Sequence, residues 1–343
     1  MKNNYFSLQW HITDQCDQRC KHCYIYNGKD IECRQQNLDL NTLILILNDF
    51  VAFCEQMNLL PYVHITGGDP LLYENIWEFL TRISEKNIRF SILGNPFHLN
   101  ENTISKLEDL NCFAYQMSLD GLEKTHDSIR KSGSFKSTLD ALKLFENSKI
   151  KSAIMSTVSK TNIEELPYLL DTVVSAKTNI FGFSRYCPSE DDINLMVSPE
   201  EYRTLLDKMW HKFSEYKNES TQFILKDHLW KLYLYENNLL KLSDIHNPDN
   251  LILDGCHCGI THMTVLSDGT VYACRRSHTP IGKVPNESFY NIFFSSAMDE
   301  YRNFDNFIKC KNCELFSICR GCPSVSKCVT GDFYSPDPQC WKK

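Results

Sequence analysis

No run of 18 or more apolar residues occurs in the 343-residue sequence, so no membrane-spanning helix is expected. Basic residues are in deficit: 36 Lys and Arg stand against 43 Asp and Glu, a formal net charge of −7. Contacts to a phosphate backbone need a basic field, so binding of duplex DNA or RNA is disfavoured. The stretch Met1 to Trp10 lacks a basic segment followed by a long apolar one. A secretory signal has that form, and its lack leads us to expect a cytoplasmic protein. Internal repeats and low-complexity segments are missing as well.

Cysteine, by contrast, is abundant at 16 residues, and hydrophobic residues make up 42%, enough for a real core. A secreted disulfide scaffold is usually far shorter. In a reducing compartment, clustered cysteines more often hold metal. Three lie within Cys16 to Cys23 and nine between Cys256 and Cys340. Only Cys33, Cys54, Cys112 and Cys187 fall outside these groups. Cys54 and Cys112 read as small buried hydrophobes.

Strand and helix patterns alternate through the first half. Strands are expected at Tyr5 to Thr13, Tyr62 to Thr66, Ile88 to Gly94, Phe113 to Leu119, Lys151 to Val158 and Asn179 to Arg185. Between them, Asn41 is expected to cap a helix whose apolar positions Leu43, Ile44, Leu47, Phe50, Val51 and Cys54 recur at helical spacing. Further helices are expected at Glu74 to Lys86, Phe135 to Ser148 and Ile163 to Ala176. Six strands in this order imply a parallel sheet with right-handed crossovers. Ligands of such sheets sit at the carboxyl ends of the strands. The first cysteine loop, Gly67-Gly68-Asp69-Pro70, Asn95, Ser118 to Gly121 and Arg185 all fall there. Bridging helices are expected at Ser198 to Lys217 and Phe223 to Tyr235, and composition shifts to cysteine and glycine beyond Asp254. The domains expected are 1–190, 191–250 and 251–343, with a boundary near Asn250.

Cys16, Cys20 and Cys23 form C-x3-C-x2-C. Three thiolates can hold three irons of a [4Fe–4S] cluster, whereas an electron-transfer cluster normally has four cysteine ligands. The fourth iron is left open to a small molecule. A zinc site completed by His22 or His11 is the competing reading of the spacing alone.

This loop after the first strand resembles the signature of the radical S-adenosylmethionine (SAM) superfamily, which implies a partial (β/α)6 TIM-like barrel. The resemblance implies that the aromatic contact to adenine falls to His22 and Tyr24. Gly67-Gly68-Asp69-Pro70 resembles the family's G-G-E-P motif, with Asp69 in place of glutamate, and would bind the methionine amino group. Ser118-Leu119-Asp120-Gly121, with His126-Asp127 and Arg130, resembles a further stretch of one branch. By that resemblance Ser118 sits near the SAM ribose or carboxylate. Asn95 is expected to be a further cofactor contact, and Arg185 to pair with the carboxylate.

The later cysteines run Cys258, ten residues, Gly269, four residues, Cys274, then Cys310-x2-Cys313-x5-Cys319-x2-Cys322 and, after seventeen residues, Cys340. This resembles the SPASM domain, a cysteine-rich C-terminal extension holding two auxiliary [4Fe–4S] clusters. The family usually has three residues where this chain has two, between Cys319 and Cys322. The resemblance assigns Cys258, Cys274, Cys322 and, from upstream, Cys256 to an inner cluster. It assigns Cys310, Cys313, Cys319 and Cys340 to an outer one. Cys328 is left over and is expected to be a spare thiol. Paired structural zinc sites are the competing reading.

The resemblance implies an enzyme in which a reduced cluster cleaves SAM and the resulting 5′-deoxyadenosyl radical takes a hydrogen atom from substrate. Members of this branch mostly modify peptides or protein side chains. A maturase of a ribosomally made peptide is therefore expected, installing a thioether, carbon–carbon or similar oxidative cross-link. An external electron donor is implied. The first strand begins almost at once, so leader recognition is expected from a separate protein or from the barrel and bridging helices. An anaerobic sulfatase-type formylglycine maturase and a peptide epimerase using Cys328 or Cys187 are alternatives. A non-catalytic iron–sulfur electron-transfer protein is the alternative of another class.

Overall fold

The alternating pattern folds as it reads. The structure, a computed structural model, describes residues 5–25, 37–240 and 256–342. Cys33 and the expected boundary near Asn250 lie outside those residues. In chain order the first part runs β1 (Tyr5–Thr13), α1 (Leu40–Gln56), β2 (Leu60–Gly67), α2 (Ile76–Glu85), β3 (Arg89–Leu93), α3 (Glu101–Asp109), β4 (Ala114–Ser118), α4 (Glu123–Ile129) and α5 (Ser134–Lys143). It continues through β5 (Lys151–Val158), α6 (Leu166–Ser175), β6 (Ile180–Arg185), α7 (Pro199–Glu215), β7 (Gln222–Ile224) and α8 (Leu229–Glu236). Then come β8 (His262–Val265), β9 (Thr270–Tyr272), β10 (Pro280–Lys283), α9 (Phe289–Phe293), α10 (Ser296–Asp299) and α11 (Pro323–Thr330).

Two compact units divide the chain, each drawn from several segments. The first holds 1–118, 126–153 and 258–302. In it β1 pairs in parallel with β2, β2 with β3, and β3 with β4. The other edge of β1 pairs in parallel with β8, and the antiparallel hairpin β8–β9–β10 continues the sheet. Phe6 of β1, Phe50 and Phe53 of α1, and Phe289 and Phe293 of α9 form one aromatic cluster, with ring centroids 5.0 to 6.4 Å apart. Each ring is at least nine-tenths buried, and four of the six pairs meet edge-on, a geometry that adds to the hydrophobic gain of burial. Cys54 and Cys112 are buried, as expected of small hydrophobes.

The second unit holds 119–125, 154–257 and 303–343. Here β6 pairs in parallel with β7. Phe213 of α7 stacks on Phe223 at 4.3 Å, beside Trp230 of α8. The capping box at Ser198 starts α7 as its sequence indicates: Ser198 Oγ accepts from Glu201 N, and the Glu201 carboxylate accepts from Ser198 N.

Two local expectations are corrected. Asp39, not Asn41, caps α1: its Oδ1 accepts from Thr42 N at 2.9 Å, and the helix starts at Leu40. The helix expected over Phe223 to Tyr235 is a short strand followed by α8. Gln222 N donates to Asn179 O and draws this segment alongside β6, and Asp227 Oδ1 accepts from Leu229 N as the helix begins. Among the described residues no helix is long and apolar enough to cross a membrane.

Candidate active site and cluster-binding loops

At the carboxyl end of β1, backbone contacts from β2 fix the cysteine loop. Gly68 N donates to Thr13 O at 2.8 Å and Asp69 N to Gln15 O at 2.7 Å. Both glycines are needed for this approach. A Cβ on Gly67 would lie 2.1 Å from Thr13 O, and Gly67 has φ +133°; a Cβ on Gly68 would lie 2.0 Å from Gln15 O. A Gly68→Ala substitution pushes the loop off its seat. A displacement of about 1 Å at a reacting centre can lower rate about a hundredfold. We expect a loss of that order in SAM cleavage with little change in unfolding midpoint, checked by 5′-deoxyadenosine formation and thermal melts side by side.

Asp69 is wholly buried. Its Oδ1 accepts from Leu71 N at 2.9 Å and its Oδ2 from Asn95 N at 3.2 Å, which joins the ends of β2 and β3. Burial pushes its carboxyl up to about 6, against the pull of those two amides. Pro70 opens the single turn that follows. Asn95 Nδ2 in turn donates to Asp17 Oδ1 at 2.8 Å and lies 4.0 Å from Cys16 Sγ. In this structure Asn95 therefore buttresses the cysteine loop.

The rest of the loop is held by groups that sequence reading passed over or left undecided. Arg130 Nη1 lies 3.6 Å from Cys20 Sγ, and its Nη2 lies 3.5 Å from His22 Nε2. Lys131 Nζ donates to Asp17 O at 3.0 Å and sits over the Phe97 ring. His98 Nε2 is 3.2 Å from Asp17 Oδ2, and Arg19 Nη1 donates to Cys16 O at 2.6 Å. Tyr24 OH meets His11 Nε2 at 3.3 Å, and Arg275 lies over its ring. Ser118 ends β4, half-buried.

The donor set suits a cluster. Burial, with the charges of Asp69, Cys20 and Cys23, pushes the Cys16 thiol up to about 11 despite its contact with Gln18. Thiols that repel one another as thiolates are brought to ionise together by a cation bound among them. Cys16, Cys20 and Cys23 would hold three irons, and Arg130 would offset the negative charge at Cys20.

In the first unit, Cys258 and Cys274 flank the β8–β9 hairpin. Both add to the burial that raises the Tyr301 phenol, so both lie near it. Gly269 turns the hairpin with φ +85°, and a Cβ there would lie 2.1 Å from Val284 O. In the second unit, Cys310, Cys313, Cys319 and Cys340 come together. Burial, then the charges of Cys340 and Cys313, raises the Cys310 thiol to about 11; burial raises that of Cys319 to about 12. Cys322 N donates to Asp337 Oδ2 at 2.7 Å and Cys340 N to Asp337 O at 3.0 Å. The carbonyl of Cys256 accepts from Arg320.

Arg185 needs a correction. Its expected carboxylate partner is present, but it belongs to the protein. Nε donates to Asp227 Oδ2 at 2.9 Å. Nη1 and Nη2 grip both oxygens of Asp337 at 2.8 and 2.9 Å, and Nη1 also reaches Gln339 Oε1 at 3.1 Å. The guanidinium is fully buried and four of its five N–H groups are bonded to protein partners, so it is an internal tie and not a SAM contact.

Comparison with known proteins agrees with this geometry. Residues 10–173 match the radical SAM superfamily, and residues 256–323 match the SPASM iron–sulfur cluster-binding domain. The chain is 26% identical to a cysteine-type anaerobic sulfatase-maturating enzyme of Clostridium novyi, over 90% of this chain and 85% of that one. It is 25% identical to the Fe-coproporphyrin III synthase of Methanosarcina barkeri, over 97% of this chain and 86% of that one. Among solved structures, Streptococcus suis SuiB bound to S-adenosylmethionine superposes with a TM-score of 0.77 at 19% identity, covering 99% of this chain and 78% of SuiB. SuiB has also been solved bound to its precursor peptide SuiA, with a TM-score of 0.76. Iron–sulfur clusters and SAM are thus the cofactors, and the chain belongs to the radical SAM superfamily, in the branch that carries a C-terminal SPASM domain.

Proposed function

We propose that this enzyme matures a ribosomally synthesised peptide by installing an oxidative cross-link of the thioether or carbon–carbon type. The observation that carries the reading is the pairing, in one chain, of a three-cysteine loop seated on the β2 end with a second set of thiols in the SPASM region. When bound, the N-terminal cluster and SAM supply an organic radical able to take hydrogen from an unactivated C–H bond, and auxiliary clusters supply a place for the electron an oxidised product must give up. The protein's share is to hold the loop rigid through Gly67, Gly68, Asp69 and Asn95. The proposed SAM contacts are His22, Tyr24, Gly67, Gly68, Asp69, Pro70, Asn95 and Ser118. The proposed inner-cluster ligands are Cys256, Cys258, Cys274 and Cys322; the outer are Cys310, Cys313, Cys319 and Cys340. The three domains are proposed as 1–190, 191–250 and 251–343. An external electron donor and a cytoplasmic setting complete the reading, and leader recognition falls to a partner protein or to the enzyme itself.

The similarity to the Clostridium novyi protein favours a second reading, formylglycine formation on a sulfatase. One assay separates the two. Reconstituted enzyme is given, in parallel, a precursor peptide encoded beside its gene and a cysteine-containing sulfatase peptide, and the products are weighed by mass spectrometry. Loss of two hydrogens from the precursor supports the proposal. An aldehyde formed from the sulfatase cysteine selects the second reading. Turnover of an iron tetrapyrrole, with both peptides untouched, would refute both.

A further inference from the structure

The eleven assigned cluster ligands leave five cysteines, and two of these meet. Cys187 Sγ and Cys328 Sγ lie 3.7 Å apart although 141 positions separate them in sequence. We propose that they form a redox-active dithiol that closes reversibly to a disulfide. This inference is independent of the substrate reading above.

Both residues sit on fixed backbone within the second unit. Cys187 stands two positions beyond the end of β6, where neighbouring Tyr186 donates its hydroxyl to Asp192. Cys328 lies inside α11, which follows directly on Cys322 and ends at Gly331 in the left-handed conformation. The 3-10 segment Glu190–Leu195, which carries Asp192, packs against α11, so the two elements are held side by side. A disulfide needs its sulfurs at about 2.05 Å, and rotation of the side chains from van der Waals contact can supply the remaining approach. Both thiols are half-buried, which leaves a route for a small reagent.

The chemistry needs an oxidant, and a small-molecule disulfide suffices. One protein thiolate attacks it, releases one small thiol and leaves a mixed disulfide. The second protein thiolate then displaces the other small thiol and forms the Cys187–Cys328 bond. The protein pair gives up two electrons and two protons, and the small disulfide takes them up as two thiols. Closure would tie the exit of β6 to the helix that follows Cys322.

The test uses anaerobically reconstituted holoenzyme treated with oxidised glutathione, quenched in acid, alkylated and digested for mass spectrometry. The expected result is a Cys187–Cys328 cross-linked peptide pair that dithiothreitol reverses, and Cys328 carrying one glutathione in the Cys187→Ser variant. Separate glutathione adducts on the two cysteines of the wild type, a Cys328 bond to another cysteine, or no reaction at either would overturn the proposal. Iron content gives a second readout. Cys187→Ser and Cys328→Ser should each retain the wild-type iron; a loss in either would make that thiol a cluster ligand and also overturn it.

Discussion

Replacing Cys16, Cys20 and Cys23 together with alanine should abolish SAM cleavage and remove about four of about twelve irons from the reconstituted enzyme. Apart from the contacts of Cys16 Sγ with Gln18 and of Cys20 Sγ with Arg130, the loop is held by groups other than its thiols. Its backbone is held by Gly68, Asp69, Arg19 and Lys131, and Asn95 grips the Asp17 side chain. The substituted protein should therefore fold and keep its other iron, and the loss should report on ligands alone. A Cys54→Ala variant is the control. Cys54 packs in the α1 core far from any cluster motif in sequence, so its change should leave iron and 5′-deoxyadenosine formation intact. Iron and sulfide assays with 5′-deoxyadenosine quantitation decide it. Zinc in place of iron, or cleavage that survives the triple change, would return the chain to an unassigned metal-binding protein.

Arg185→Met should destabilise the protein by about 3–5 kcal/mol, the usual result of removing one partner from a buried ion pair. Asp227 and Asp337 both point at this guanidinium, each side chain no more than 4% exposed. Burial opposes the charge on Arg185, but the two carboxylates hold it well above its ordinary range. Taking the cation away leaves two buried carboxylates facing each other. The damage should spread to metal, because Asp337 also holds the amide of Cys322 and its carbonyl that of Cys340. We expect lowered auxiliary iron and a lower unfolding midpoint. Arg185→Lys keeps the charge but loses the fork, and should fall between wild type and Arg185→Met. A SAM-binding arginine would behave differently: folding and iron would be normal, and only SAM affinity would fall. Denaturant titration beside iron analysis and SAM binding distinguishes the two.

These residues also mark where sequence reading stops. The six-strand alternation was legible because parallel strands are short apolar runs closed by turn residues, and β1 to β6 all have that form. Gly67 and Gly68 were legible because their tight approach leaves no room for a side chain. Arg185 was misread because a buried arginine looks the same in sequence whether its carboxylate comes from a ligand or from Asp337, 152 positions away. The role of Arg130 was not legible for the same reason, since the thiol it faces is 110 positions upstream. The contact between Cys187 and Cys328 has no local signature either. Asp39 displaced Asn41 because either residue can cap a helix, and the hydrogen-bonding geometry of the first turn chooses between them.

The parallel pairing of β1 with β8 has a consequence for how the chain is made. Ser7 to Trp10 align with His262 to Val265, so the first strand stays without this neighbour until more than 260 residues have been synthesised. Pairings this distant in sequence are slow to form and leave an open strand edge in the meantime, a site at which nascent chains associate wrongly. The strand that covers this edge arrives between Cys258 and Cys274, so the pairing of β1 with β8 and the delivery of these two thiols go together. A chain truncated before residue 256 should thus be short of more than auxiliary iron. It should aggregate, with β1 as the adhesive edge.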